Sequence, residues 1–386
     1  MRNLFVIAAD DHNMRFLEPL ADALDCRYHR VLGLEDVQTE EGFPFRHTLE
    51  SSIEALDAFD GKIDGIMSYW DFPVSPVLAI LREKYGCVGA GVDAVLSCEH
   101  KYRSRLLQRE VAPDHVPRFE ALDPFDDTHV AELPEKIGYP FWIKPIKAHS
   151  SSLGFRIENG RQLKRAIGRI RAGIGRFGEP FDDAMTFSSL PEDIKKVKGH
   201  WCLAESLIGG HQCTLEGYVH RGEVIVPAIV DSIRLPGSSS FARYQYPSTL
   251  PDSVQARMRD LASRVMTKHD FQEGTFNFEM YWDDAKDHIW LLEVNPRASQ
   301  SHTAITALVD GVPHLEAMAA LSLGQAPKKH GHDGAHAMAG KCFIRAHRNA
   351  LVKAVPPAAR VAELEEELGC FIQIEAKEGK LLSQLP

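Results

Sequence analysis

Two stretches decide the reading of this chain: Phe276-Asn277-Phe278-Glu279, and Leu291-Leu292-Glu293-Val294-Asn295-Pro296-Arg297. Each is an apolar run of strand length that carries carboxylates. Glu293 and Asn295 are two apart, so they project from one face of a strand. Glu279, on a strand paired with it, can lie opposite them. Two carboxylates and an amide oxygen suit Mg²⁺, a hard cation that keeps positions free for phosphate oxygens. Arg297, just past the strand end, offers a fixed cation for a phosphoryl or carboxylate group. The plain alternative is a pair of surface carboxylates with an Arg partner. Leu291, Leu292 and Val294 weigh against it, because a Glu set in a buried strand needs a reason.

Working outward, the two strands span Gly274–Trp282 and His288–Asn295, joined by the polar turn Asp283-Asp284-Ala285-Lys286. Upstream, Phe141-Trp142-Ile143-Lys144-Pro145 puts a lysine at the end of an apolar strand. The small-residue loop after it, His149-Ser150-Ser151-Ser152-Leu153-Gly154, can bend over phosphates and offer backbone N–H groups. Taken alone it also reads as a surface turn. Glu205-Ser206-Leu207-Ile208-Gly209-Gly210-His211-Gln212 reads as a strand, a short hinge and a returning strand. Such a hinge can present backbone groups to an adenine edge, or be a plain hairpin with a Gly-Gly turn. Lys101, in Glu99-His100-Lys101-Tyr102-Arg103, opens a helix that also reads as a solvated basic turn.

The first ~95 of the 386 residues alternate strand-like and helix-like runs, the mark of a small parallel sheet covered on both faces. No GxGxxG follows the first strand. From Tyr139 onward strand-like segments pair locally: 141–143 with 155–157, 201–207 with 212–219, and 212–219 with 223–230. Residues ~172–198 are polar and rich in Gly and Pro, and read as a long loop or lid. The stretch Arg234–Tyr246 reads as a second loop. The expected division is 1–97, an α/β domain; 98–200 and 201–325, two α+β subdomains; and 326–386, a small C-terminal unit with a strand at 341–346 and a helix at 358–368.

Lys and Arg number 44 against 54 Asp and Glu, a net charge of −10. A nucleic-acid binder usually carries a basic excess, so no nucleic-acid partner is expected. No run approaches the ~18 apolar residues of a membrane span, so no membrane is expected either. The seven cysteines are scattered with no CxxC pair, which points to reduced thiols and a cytoplasmic setting.

Taken together and in order, these motifs resemble the ATP-grasp superfamily, over roughly Ile80 to Leu323. The resemblance implies an N-terminal pre-ATP-grasp domain and two subdomains that grip ATP between their sheets. It places Lys101, Lys144, Ser151, Ser152 and Gly154 on ATP phosphates. It places Glu205 on the adenine amino group, the backbone of Leu207 and Ile208 on the ring edge, and Gln212 near the ribose. The family usually has an acidic residue where Gln212 stands. Glu279, Glu293 and Asn295 would hold Mg²⁺, with Mn²⁺ the second candidate. Arg297 and Lys144 would be catalytic, neutralising the transferred phosphate.

The segment Glu293-Val294-Asn295-Pro296-Arg297-Ala298-Ser299 looks most like the carbamoyl-phosphate-synthase and biotin-carboxylase side of the superfamily. The expected activity is an ADP-forming carboxylate–amine ligase acting on amino acids or a related small metabolite, with a homodimer compatible with the relatives. A carboxylase that activates bicarbonate, or a non-catalytic ATP-binding protein, are the alternatives. Arg234, Arg243 and Tyr246 are further candidates for substrate contact, Asp71 for pairing with a substrate amine and His302 as a base for the incoming amine, each with an ordinary structural reading beside it.

Overall fold

The computed structural model describes residues 1–39, 42–148, 152–235, 240–346 and 348–382. The first strand, β1 (Arg2–Ile7), ends in the buried apolar run Leu4-Phe5-Val6-Ile7. Alternation sends Phe5 and Ile7 into one apolar cluster and Leu4 and Val6 into another. Each face of the sheet is therefore covered, as parallel strands require. β1 pairs in parallel with β2 (Cys26–Val31) on one side and β3 (Gly65–Met67) on the other.

The rest of the strands are antiparallel and fall into two sheets. A four-stranded sheet contains β4 (Phe119–Leu122), β5 (Phe141–Pro145), β6 (Phe155–Ile157) and β7 (Cys202–Ser206), in the order β4-β7-β5-β6. A six-stranded sheet contains β8 (His211–His220), β9 (Glu223–Arg234), β10 (Phe241–Tyr246), β11 (Gly274–Asp283), β12 (His288–Asn295) and β13 (Ala339–Cys342). Its order is β12-β11-β8-β9-β10-β13. The architecture is the expected mixture: a parallel sheet first, then antiparallel sheets. No single helix among the described residues is long and apolar enough to cross a membrane.

Four expectations are corrected. First, 201–207 does not form a hairpin with 212–219. β7 pairs with β4 and β5, whereas β8 pairs with β9 and β11. The chain instead crosses between sheets at 207–210. The Gly-Gly pair serves that crossing: Gly210 has φ +126°, and a Cβ there would stand 2.2 Å from the Trp282 carbonyl oxygen. Only glycine tolerates both that backbone and that approach.

Second, 172–198 is no loop. It holds the helices Gly175–Met185 and Glu192–Lys195. Phe177, Phe181 and Ala184 have helical spacing and are buried, with Phe181 packed edge-on against Phe72 at 5.8 Å. Gly178 and Pro180 mask that spacing. Third, Arg234–Tyr246 contains the end of β9 and all of β10; residues 236–239 lie outside the described residues. Fourth, the strand expected at 341–346 is β13, displaced toward 339 because it pairs with β10 from Ala339 to Cys342. The helix Ala358–Leu368 forms as expected.

Candidate active site

The β11–β12 pair delivers the acidic residues as their spacing suggests. Glu279 stands opposite Glu293, and Asn277 opposite Asn295. Asn295 donates from Nδ2 to Asn277 Oδ1 at 2.9 Å, and Asn277 donates to the Arg297 carbonyl at 3.0 Å. This ties the strand end to the turn that carries Arg297. Burial, and next the charge of Glu293, push the Glu279 carboxyl up to about 7. Glu293 goes the other way: Lys101 and then Lys144 outweigh its burial and lower it.

Two lysines complete the cluster. The helix Lys101–Val111 starts beneath β12, and its first residue extends Nζ to Glu293 at 2.8 Å and to the Ala148 carbonyl at 3.0 Å. Lys144, near the end of β5, pairs with Glu205 at 2.8 Å. Glu205 is buried, and Arg105 pairs with its other oxygen. Arg105 and Lys144 overcome burial and hold Glu205 down at about 2. Both carboxylate oxygens are engaged, so Glu205 is not a free acceptor here. Arg105 continues to the carbonyls of Leu291 and Leu292, at 2.9 and 2.8 Å. One buried guanidinium thus joins the two antiparallel sheets.

Gln212 faces the acidic pair. It donates from Nε2 to Glu279 at 2.9 Å and accepts from the Tyr281 hydroxyl and from Arg234. Leu207 and Ile208 lie half-buried in the crossing between the sheets. Ser152 and Gly154 lie in the turn before β6, with no hydrogen bond to the acidic cluster among the described residues. Ser151 lies outside the described residues.

Arg297 reaches the first domain. It donates to Asp71 Oδ2 at 2.6 and 3.1 Å, and Lys147 donates to the other oxygen at 3.0 Å. Lys147 also pairs with the buried Glu99. These cations outweigh burial and keep Asp71 well below the carboxylate range. Sequence reasoning named Asp71 but missed Lys147, Glu99 and Arg105. A signal was present: Arg105 lies four residues after Lys101, on the same helix face.

Behind Arg297 lies a second buried cluster. Glu216, on β8, accepts from the Ser299 N–H at 3.2 Å and lies 2.6 Å from His302 Nδ1. Burial pushes Glu216 up to about 7 and His302 down to about 3. Further along the chain, His330 and His332 both approach the buried Asp310, at 2.6 and 3.3 Å.

The donor set fits a hard divalent cation. Glu279, Glu293 and Asn295 are all oxygen ligands, and two facing carboxylates, one of them raised to about 7, gain from a cation between them. Among the described residues no three His, Cys, Asp or Glu side chains converge on a metal position.

A family model described as an ATP-grasp domain matches residues 137–305. The C-terminal section of a carbamoyl phosphate synthase large chain from Methanopyrus kandleri is 25% identical over 230 residues, 58% of this chain and 37% of that relative. The chain therefore matches little more than a third of that relative's length. Among solved structures, an L-amino acid ligase from Bacillus licheniformis superposes with TM-score 0.69 at 16% identity, covering 94% of this chain and 85% of that one. The biotin carboxylase domain of a Hydrogenobacter thermophilus 2-oxoglutarate carboxylase, solved with MgADP and bicarbonate, gives 0.65 at 15%, covering 88% and 74%. At such identities the structural likeness is one of fold. The sheets, the motif order and the matched model agree on an ATP-grasp domain over residues 137–305.

Proposed function

We propose that the protein is an ADP-forming ligase that activates a carboxylate with ATP and joins it to an amine, with amino acids as the substrate class. The observation that carries this is the row of opposite charges at one cleft: Glu279, Glu293 and Asn295 on β11 and β12, faced by Lys101 and Lys144, with Arg297 at the strand end. The fold likeness to an L-amino acid ligase supports it. The division into 1–97, 98–200, 201–325 and 326–386 belongs to the same proposal, with the second boundary moved to the crossing at 207–210.

In this reading Lys101 and Lys144 bind the ATP phosphates, with Ser151, Ser152 and Gly154 closing over them. The crossing at Leu207 and Ile208 offers backbone groups to adenine, and Gln212 offers its amide to the ribose. Glu205 holds Lys144 in place by their ion pair, and meets the base only where Lys144 leaves it for a phosphate. Glu279, Glu293 and Asn295 would hold Mg²⁺, which supplies charge neutralisation for the phosphates. The substrate carboxylate attacks the γ-phosphate, giving an acyl phosphate and ADP. The amine then attacks the acyl carbon and phosphate leaves. Phosphoryl chemistry needs positioning and electrostatics above all, and Arg297 and Lys144 supply fixed cations for it.

A bicarbonate-activating reading takes support from the biotin carboxylase domain whose fold this chain shares. ADP release with Mg²⁺-ATP separates the readings. Dependence on a carboxylate–amine pair, lost in Glu293→Ala, supports the ligase. Dependence on bicarbonate transfers the protein to carboxyphosphate chemistry. ATP binding with no turnover on any substrate leaves a non-catalytic binding protein.

A further inference from the structure

The sheet face that carries the acidic pair can be followed across the six-stranded sheet by register. Glu279 is opposite Thr214. The Thr214 and Ser232 hydroxyls lie 3.4 Å apart. Ser232 is opposite Tyr244, and Tyr244 is opposite Lys341. Opposed residues of an antiparallel pair share a face. Lys341 therefore stands on the face of Glu279 and Glu293, at its far edge.

That end of the face borders the site. The Tyr244 ring packs edge-on against His302 at 4.8 Å and against Phe343 at 5.2 Å. Burial first, and then the charge of Glu279, raise the Tyr244 phenol to about 12. The charge of Lys341 acts on His302 and on His12, at the start of the helix Asp11–Leu17. The ammonium lies 5.6 Å from the Phe343 ring centroid. It has no ion pair or hydrogen bond among the described residues, and burial lowers its pKa against a weaker opposing pull from Glu375. A half-buried ammonium with no anion in contact is costly, and an anionic ligand would repay that cost.

We propose that Lys341 binds the free carboxylate of the amino acid whose amine attacks the acyl phosphate. The proposal rests on the ligase reading above. Geometry selects this role over a phosphate contact. Four strand spacings separate β11 from β13, about 19 Å at roughly 4.8 Å each. That is too far for Lys341 to share a phosphate with Glu279 and Glu293. Two amino acids end to end cover about 7 Å. The phosphate at one end and the lysine side chain at the other make up the remainder. A single ammonium matches a single carboxylate. The acceptor is then an amino acid rather than a simple amine, and the product keeps a free carboxylate.

The test compares wild type with Lys341→Met and Lys341→Arg. ADP release is followed with alanine, glutamate or glycine as acceptor, and with their α-carboxamides. Wild type should favour the acids. Lys341→Met should raise the acceptor KM about tenfold or more, leave the ATP KM unchanged and abolish the preference, and Lys341→Arg should restore much of it. Equal use of acids and amides by wild type overturns the proposal, as does an unchanged acceptor KM in Lys341→Met. Equilibrium binding of the same compounds is measured in parallel, with Mg²⁺ and a non-hydrolysable ATP analogue. If no pair releases ADP, the ligase reading fails, and this second measurement decides about Lys341 alone. Acids bound more tightly than amides, by a margin that Lys341→Met removes, support the carboxylate site; equal binding overturns it. Unchanged affinity for the analogue shows that the variant is folded.

Discussion

The ammonium of Lys101 lies 2.8 Å from the carboxylate of Glu293. One residue is proposed to meet phosphate and the other Mg²⁺, and without nucleotide each neutralises the other. Burial lowers the Lys101 pKa most, Lys147 and Lys144 add to that pull, and Glu293 opposes it. Binding of Mg²⁺-ATP would exchange this pair for two others, at little net cost in desolvated charge.

Lys101→Met should therefore act twice. It removes the proposed phosphate contact, and it leaves the half-buried Glu293 without its nearest cation. ATP affinity should fall by about 10–100-fold, a loss of roughly 1.4–2.8 kcal/mol. Titration calorimetry with a non-hydrolysable analogue checks this. An affinity equal to wild type would remove Lys101 from the nucleotide site.

Glu205→Gln should destabilise the fold. It leaves the guanidinium of Arg105 and the ammonium of Lys144 facing a neutral amide. Breaking one side of a buried ion pair costs about 3–5 kcal/mol. Denaturant unfolding at neutral pH measures the loss. A change below about 1 kcal/mol would mean that the amide serves as well as the carboxylate.

Glu279, pushed up to about 7 by burial and by Glu293, should make the proposed divalent-ion binding pH-dependent. Below pH 7 the carboxyl holds a proton that a cation must displace. Mg²⁺-ATP affinity should rise between pH 6 and pH 8, with proton release visible as a buffer-dependent binding enthalpy. In Glu279→Gln that release should vanish.

Glu216 gives a stability signal of opposite sign to the usual carboxylate. Its folded pKa of about 7 exceeds the ordinary 4.5. Between those values the folded protein keeps a proton that the unfolded chain has lost, so stability falls as pH rises through that window. Relative to Glu216→Gln, wild type should lose about 1–3 kcal/mol from pH 4.5 to pH 7. Parallel unfolding curves for the two proteins across that range would contradict the raised pKa.

Gly210→Ala should be among the most damaging small substitutions. The added methyl would meet the Trp282 carbonyl at 2.2 Å, on a backbone at φ +126°. A loss of about 2 kcal/mol or more is expected. A neutral effect would show that the crossing can shift.

What the sequence made legible was local. The acidic pair was readable because Glu279, Glu293 and Asn295 sit in strands whose period of two fixes their face. The parallel first sheet was readable from a buried apolar run. What was hidden depended on partners far along the chain. Glu205 carries the same letters whether it meets adenine or Arg105, and Lys147 reveals nothing until Glu99 and Asp71 are beside it. The helix Gly175–Met185 was missed because Gly178 and Pro180 look like loop residues, while Phe177 and Phe181 find their partners on other elements. Gly209-Gly210 suggested a turn, and only pairing could show that β7 and β8 belong to different sheets.

Arg105 has a mechanical consequence. Its side chain is among the largest fully buried ones, and it is bonded at once to Glu205 in one sheet and to the Leu291 and Leu292 carbonyls in the other. The two jaws thus share a hinge pin beside the crossing at 207–210. Any swing of one jaw against the other has its axis there and its widest travel at the opposite rim, where the turn before β6 lies. On the proposed assignment, the end at Leu207 and Ile208 that meets the base is the fixed corner, and the end at Lys144 that meets phosphate is the one with travel.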